Sequence, residues 1–187
     1  MRIAAALVTM VLAAASASAD PLSYDYVYLS HQQAHVDGRS FSNDTLGGYV
    51  EVGRHVHLFG SLGNAGAYGN PAWQHSRAIR IGTGGRWLLD DDTLIAVEGA
   101  VVRAQFEHPV RGTVRDTGLS QIVEFRHRFA PWVEAIASAS HSDVLGHRTT
   151  EFVTGPVFHL NRYIALGVFY RRTESGSGME VTARTYY

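Results

Sequence analysis

The chain has 187 residues, a formal charge of −1 and no cysteine, and all 16 of its basic residues are arginine. Without cysteine there is no disulfide scaffold, no thiolate chemistry and no cysteine-type zinc site. The near-neutral charge leaves no electrostatic footprint for nucleic acid.

Arg2 is the only charge before Asp20, residues 3–15 are nearly all apolar, and Ala17-Ser18-Ala19 places small residues at −3 and −1. This pattern predicts a cleaved secretory leader over residues 1–19 and a mature domain over residues 20–187. The apolar run falls short of the roughly 20 residues that an anchoring helix needs.

The mature chain then alternates. Residues 23–30 place Tyr24, Tyr26 and Tyr28 on one face of a strand, and a polar stretch over 32–43 reads as a loop. Leu46, Gly48, Val50 and Val52 share one face and Gly47, Tyr49 and Glu51 the other, because successive strand side chains point to opposite sides. After a turn at Gly53-Arg54 the chain returns over 55–62 with Val56, Leu58, Gly60 and Leu62 as the apolar face; residues 64–75 form a second loop. Ile79, Ile81, Thr83 and Trp87 oppose Arg80, Gly82, Gly84 and Arg86, and the Asp90-Asp91-Asp92 turn leads to 93–102, where Ile95, Val97 and Val101 oppose Glu98. A loop over 107–115, a strand over 118–128, a turn at Ala130-Pro131 and a strand over 133–140 follow. The remainder is a loop over 141–148, strands over 149–158, 163–172 and 179–187, a turn at Leu160-Asn161 and a loop over 173–178.

The expected fold is therefore all-β, a transmembrane antiparallel up-and-down barrel of ten strands. An even number returns both chain ends to one side. Loops centred on Gly38, Gly69, Arg111, Leu145 and Gly176 then face outside, and turns at Arg54, Asp91, Pro131 and Asn161 face the periplasm. Two positions strain the count. Ile136 breaks the alternation, and Pro156 belongs at a strand end because it cannot donate to a ladder. Eight strands stay open as the alternative.

Alternation alone does not say which face points outward. In a soluble periplasmic ligand-binding barrel the apolar face lines a cavity; in a membrane barrel it meets lipid. Aromatics near strand ends (Tyr24, Trp87, Phe129, Trp132, Tyr163, Tyr170 and Tyr187) suit interfacial girdles, and Glu51, Glu98, Glu124, Arg80, Arg86 and Arg126 on the polar faces suit a lumen of paired charges. Met179, Val181, Ala183, Thr185 and Tyr187 form one face of a final strand ending in an aromatic, which resembles the signal read by the outer-membrane barrel-assembly machinery.

The opening Ser23-Tyr24-Asp25-Tyr26-Val27 and the return His55-Val56-His57-Leu58-Phe59-Gly60 resemble those of small Gram-negative outer-membrane barrel proteins, specifically a group with members described as immune elicitors or quorum-signal proteins. The resemblance implies an outer-membrane barrel and transfers no catalytic residue. The expected partners are outer-membrane lipid, lipopolysaccharide and the assembly machinery through Tyr187, with no nucleic acid and no cofactor.

No motif amounts to a catalytic or metal signature. His55 and His57, two apart, would share a strand face, but spacing places no third ligand. His31 and His35 read as loop histidines. Gly82-Thr83-Gly84-Gly85 precedes no helix that would make it a phosphate loop. The Asp90–Asp92 run reads as a solvated turn. His141-Ser142-Asp143 has hydrolase residue types, and with Ser140 and Glu151 it defines the enzyme alternative, a lipid A deacylase-like hydrolase; adjacent strand residues, however, face opposite ways. The sequence thus predicts a non-enzymatic barrel with a structural or surface-interaction role, or a narrow pore.

Overall fold

The structure is a computed structural model that describes residues 22–36, 39–68, 76–108, 112–144 and 147–187. The expected leader over 1–19, the mature start at Asp20 and the loop centres Gly38, Gly69, Arg111 and Leu145 lie outside the described residues.

Ten strands form one closed sheet: β1 Tyr26–Val36, β2 Arg39–Gly53, β3 Val56–Tyr68, β4 Ser76–Leu88, β5 Thr93–His108, β6 Gly112–Ala130, β7 Val133–Val144, β8 His147–His159, β9 Ile164–Thr173 and β10 Gly176–Tyr186. Each pairs antiparallel with its sequence neighbour, and β1 closes on β10 from Tyr26↔Tyr186 to Val36↔Gly176. Closure leaves no unpaired edge, which hydrocarbon would not tolerate. It also settles the strand count at ten rather than eight.

Where they are described, the five expected loops are mostly strand. β1 and β2 pair through residues expected to form the first loop, as far as Val36↔Arg39, and β5 and β6 continue to His108↔Gly112. Gly112 opens β6 at φ +68°, a left-handed conformation that glycine adopts without strain. β7 and β8 pair up to Val144↔His147, so His141, Ser142 and Arg148 are strand residues. Polar composition had suggested loops, but a hairpin wetted on both faces needs only backbone pairing, which polar side chains permit. β6 runs 19 residues and β5 runs 16, beyond the roughly 9–11 that a tilted strand needs to cross the apolar layer.

Two further expectations are corrected. Pro156 lies inside β8 opposite Ala135 of β7, not at a strand end. On its other side the β8–β9 ladder stops at Thr154↔Tyr170 and resumes at Val157↔Gly167, so the missing N–H falls in a gap. Gly155 sits there because an added Cβ would lie 2.0 Å from the Val168 carbonyl oxygen. Ile136 keeps the alternation and points inward, 3% exposed, as an apolar member of the lumen.

The apolar face is outside. Ile81 (66% exposed), Leu62, Val101, Leu119, Val181 and the others of that face stand out from the wall, while Glu98 and Arg126 are enclosed. A soluble ligand-binding barrel requires the reverse. Trp87, Phe129 and Trp132 stand exposed beside the short turns and Tyr170 higher on β9, as an interfacial girdle would place them. Tyr24 departs from that expectation: it is fully buried inside the barrel.

Candidate functional site

Among the described residues, strand alternation encloses one continuous region, the lumen. Its mouth beside the short turns is filled by the segment that precedes β1. Tyr24 N–H donates to Glu51 Oε1 at 2.7 Å and Ser23 Oγ donates to the same oxygen at 3.1 Å. Glu51 N–H in turn donates to Asp25 Oδ1 at 2.7 Å, and Arg86 joins Glu51 Oε2 at 2.5 Å and the Leu22 carbonyl at 3.3 Å. Leu22 and Tyr24 are buried.

Above this plug the β1–β3 wall is aromatic. Tyr24 stacks on His57 at 4.2 Å and 10°, Tyr26 on Tyr49 at 5.0 Å, and Tyr49 on Phe59 at 5.2 Å. Glycine makes the room. A Cβ on Gly84 would lie 2.5 Å from His57 Nε2, and one on Gly47 would lie 2.5 Å from the Tyr28 ring. Gly82-Thr83-Gly84-Gly85 is thus the interior of β4, seating rings, with no helix to make it an anion loop.

The facing wall holds charge in pairs. Arg126 Nε and Nη2 donate to Glu134 at 2.9 and 3.1 Å with both side chains fully enclosed, and His159 Nε2 lies 3.5 Å from the same carboxylate. His57 Nε2 lies 3.1 Å from Glu98 Oε1, and Tyr24 OH donates to Glu124 at 2.5 Å. Arg171 bridges Glu151, at 2.6 and 2.9 Å, and Glu180. Arg184 lies over the rings of Tyr26 and Phe169, and Arg80 over Phe59 at 5.1 Å. Between these groups lies a cavity of about 130 Å³, lined among others by Tyr26, Glu98, Glu124, Arg171 and Arg184.

The lumen charges expected from sequence, Glu51, Glu98, Glu124, Arg80, Arg86 and Arg126, all point inward. Missed were Glu134, Glu151, Arg171, Glu180, Arg184 and His57. The charges among them sit at inward parity on strands with an apolar outward face, a signal available in the alternation; His57 was paired with the wrong neighbour.

The chemical motifs do not assemble. His55 is exposed at the turn with Nδ1 3.2 Å from the Arg86 carbonyl, while His57 is buried, so they do not face one site. His31 and His35 are strand residues, not loop residues; His31 pairs with Asp44 at 2.7 Å and His35 with Ser40 at 3.1 Å. His141 faces outward with Nδ1 3.2 Å from Thr150 Oγ1, Ser142 faces inward, and Glu151 is bound to Arg171, so the hydrolase relay is not formed. Asp90 accepts the Asp92 N–H at 2.9 Å and Asp92 binds Arg128 at 2.7 Å: the acidic run ties its own turn. Among the described residues no group of three or more metal-ligating side chains converges.

This outward apolar face around a polar interior defines the fold of the small outer-membrane β-barrels. No family model and no curated protein matches the sequence. Solved structures do. The KdgM porin in complex with disordered oligogalacturonate aligns at a TM-score of 0.52 and 9% identity, covering 87% of this chain and 99% of that one. The NanC porin aligns at 0.52 and 5%, covering 86% and 99%, and the beta domain of the Bordetella autotransporter BrkA at 0.57 and 11%, covering 87% and 98%. At these identities the likeness is one of fold.

Proposed function

We propose that the chain is an integral, non-enzymatic protein of the Gram-negative outer membrane, exported by a cleaved leader, with a plugged lumen and a structural or surface-interaction role. The observation that carries this reading is the reversal of polarity across the wall: apolar side chains outside, and Arg126–Glu134, His57–Glu98 and Arg171 with its two carboxylates inside. Lipid outside and paired charge inside satisfy both faces. Outward Met179 and Val181, with Tyr187 at the end, support recognition of β10 by the barrel-assembly machinery.

The segments around Tyr24 and His57 pack on each other, Tyr24 against His57 and both near Tyr49, and so fill the mouth of the lumen.

Current recording on the refolded protein in planar bilayers tests the plug. The expected result is no stable open channel, with steps appearing when the plug is cut by Tyr24→Ala. Steady conductance from the unaltered protein would assign it instead to the narrow pores.

A further inference from the structure

The tallest part of the wall carries an outward feature that a plugged barrel does not require. On β4, β5 and β6 the register aligns Arg77↔Gln105↔Arg115 in one row and Ile79↔Arg103↔Thr117 in the next. Arg77, Arg103 and Arg115 are exposed on the outer face. Neighbouring strands lie about 4.8 Å apart, so the three guanidinium groups share a patch on the order of 10 Å across. Arg115 Nε donates to Gln105 at 3.2 Å, which leaves its terminal nitrogens to the patch. Glu107, opposite Thr113 and one outward step above Gln105, and Asp143, beside Leu119 on β7 and paired with Arg148 at 3.2 Å, are the nearby carboxylates on this face, and the patch stays net positive.

Directly below, Ile79, Val101 and Leu119 begin the apolar face. Arg103 stands ten positions along β5 from Thr93 at the short-turn end. At about 3.3 Å per residue and a tilt near 45° this is roughly 23 Å, close to the height of the apolar band. The patch therefore sits where lipid headgroups meet the barrel.

Two outward steps down β5 from Arg103 is Gly99, where an added Cβ would meet nothing within 4 Å. Around it the wall recedes into a groove of about 690 Å³, bordered by Val97, Val123 and Ala139, with Thr83 and Gln121 flanking Gly99 on the neighbouring strands and the hydrogen-bonded His141 and Thr150 at one side. An acyl chain fits along the Val97, Val123 and Ala139 side of this groove, because it needs an apolar wall and no polar partner.

We propose that this face is a binding site for one phosphorylated lipid of the outer leaflet, with Arg77, Arg103 and Arg115 on the phosphate and an acyl chain in the groove at Gly99. Guanidinium forks match phosphate oxygens bidentately, which a lysine does not, and all the basic residues of this chain are arginine. The proposal rests on the reading that the outer wall faces lipid.

Native mass spectrometry of the refolded, detergent-held barrel tests it, with phosphatidic acid, diacylglycerol of the same chains and inorganic phosphate as probes. One equivalent of phosphatidic acid should bind, and diacylglycerol or inorganic phosphate should bind about tenfold more weakly or worse. The Arg77→Gln/Arg103→Gln/Arg115→Gln variant should lose the same factor, whereas Arg172→Gln, an exposed arginine on β9, should bind as the unaltered protein does. Shortening the acyl chains should weaken binding without any substitution, and Gly99→Leu should reproduce that loss in a protein that keeps its heat-modifiable mobility. Phosphatidic acid binding that survives the triple substitution would overturn the site, and inorganic phosphate binding as tightly as phosphatidic acid would make it an anion site rather than a lipid site. A barrel released from membranes by carbonate fails the proposed function. One that stays inserted and does not prefer phosphatidic acid fails this proposal alone.

Discussion

Arg126 and Glu134 face each other across one β6–β7 hairpin with neither side chain reaching solvent, so each compensates a charge that the lumen could not otherwise hold. Arg126→Leu leaves the Glu134 carboxylate enclosed beside His159, and should lower the unfolding free energy by about 3–5 kcal/mol, measured by urea titration of the refolded barrel. Pairing it with Glu134→Leu should return much of the loss. At the turns the charges act through the backbone. Hydrogen bonds from Thr93 and the Asp92 N–H hold the Asp90 carboxyl below its usual range, so Asp90 stabilises the turn above its ordinary titration and loses that contribution as pH falls through the depressed value. The acid limb of a pH–stability curve should flatten slightly in Asp90→Asn, and an unchanged limb would contradict the assignment. Inward Glu98 and Arg80 were legible because alternation places them opposite apolar neighbours. The partner of Glu98 was not, since His57 reaches it across β4 only where Gly84 removes a side chain, a coincidence of register over three strands.

At the level of strands, periodicity identified the membrane-crossing halves and their apolar faces, and failed where both faces are wet. The hairpin tips of β1–β2 and β7–β8 are mostly polar on both faces, with only Ala34, Val36, Phe41 and Val144 apolar among their paired residues, so too little alternation is left to separate paired strand from loop. Proline does not end a strand here for a related reason. It forbids one hydrogen bond on one side, and β8 accommodates Pro156 by leaving the ladder open toward β9 while keeping it toward β7. Inward glycines such as Gly84 and Gly47 are seats for rings on the neighbouring strands. Gly84→Val should therefore push His57 from its stack on Tyr24 and cost about 1–3 kcal/mol, visible as a lower temperature of the heat-induced gel shift. A variant as stable as the parent would show that the seat is not needed.

For the whole molecule, the closed up-and-down barrel and a favoured count of ten strands were readable in the sequence, because a barrel repeats one simple rule along the chain. The direction of the apolar face came from the aromatic strand ends and the charged polar faces, and closure of β1 on β10 excludes eight strands. How the lumen is filled was not readable, because filling depends on which inward residues meet across the barrel, as Tyr24 and Glu124 do over a separation of 100 residues. A barrel that spans the membrane carries the Glu174–Ser175 hairpin on one side and the Asp91 turn on the other. The chain has no cysteine, so Glu174→Cys and Asp91→Cys each introduce one unique thiol on an exposed, solvent-facing residue. Treating intact cells with a membrane-impermeant maleimide should label Glu174→Cys and leave Asp91→Cys unlabelled until the outer membrane is opened; labelling of both in intact cells, or of Asp91→Cys alone, would contradict the account.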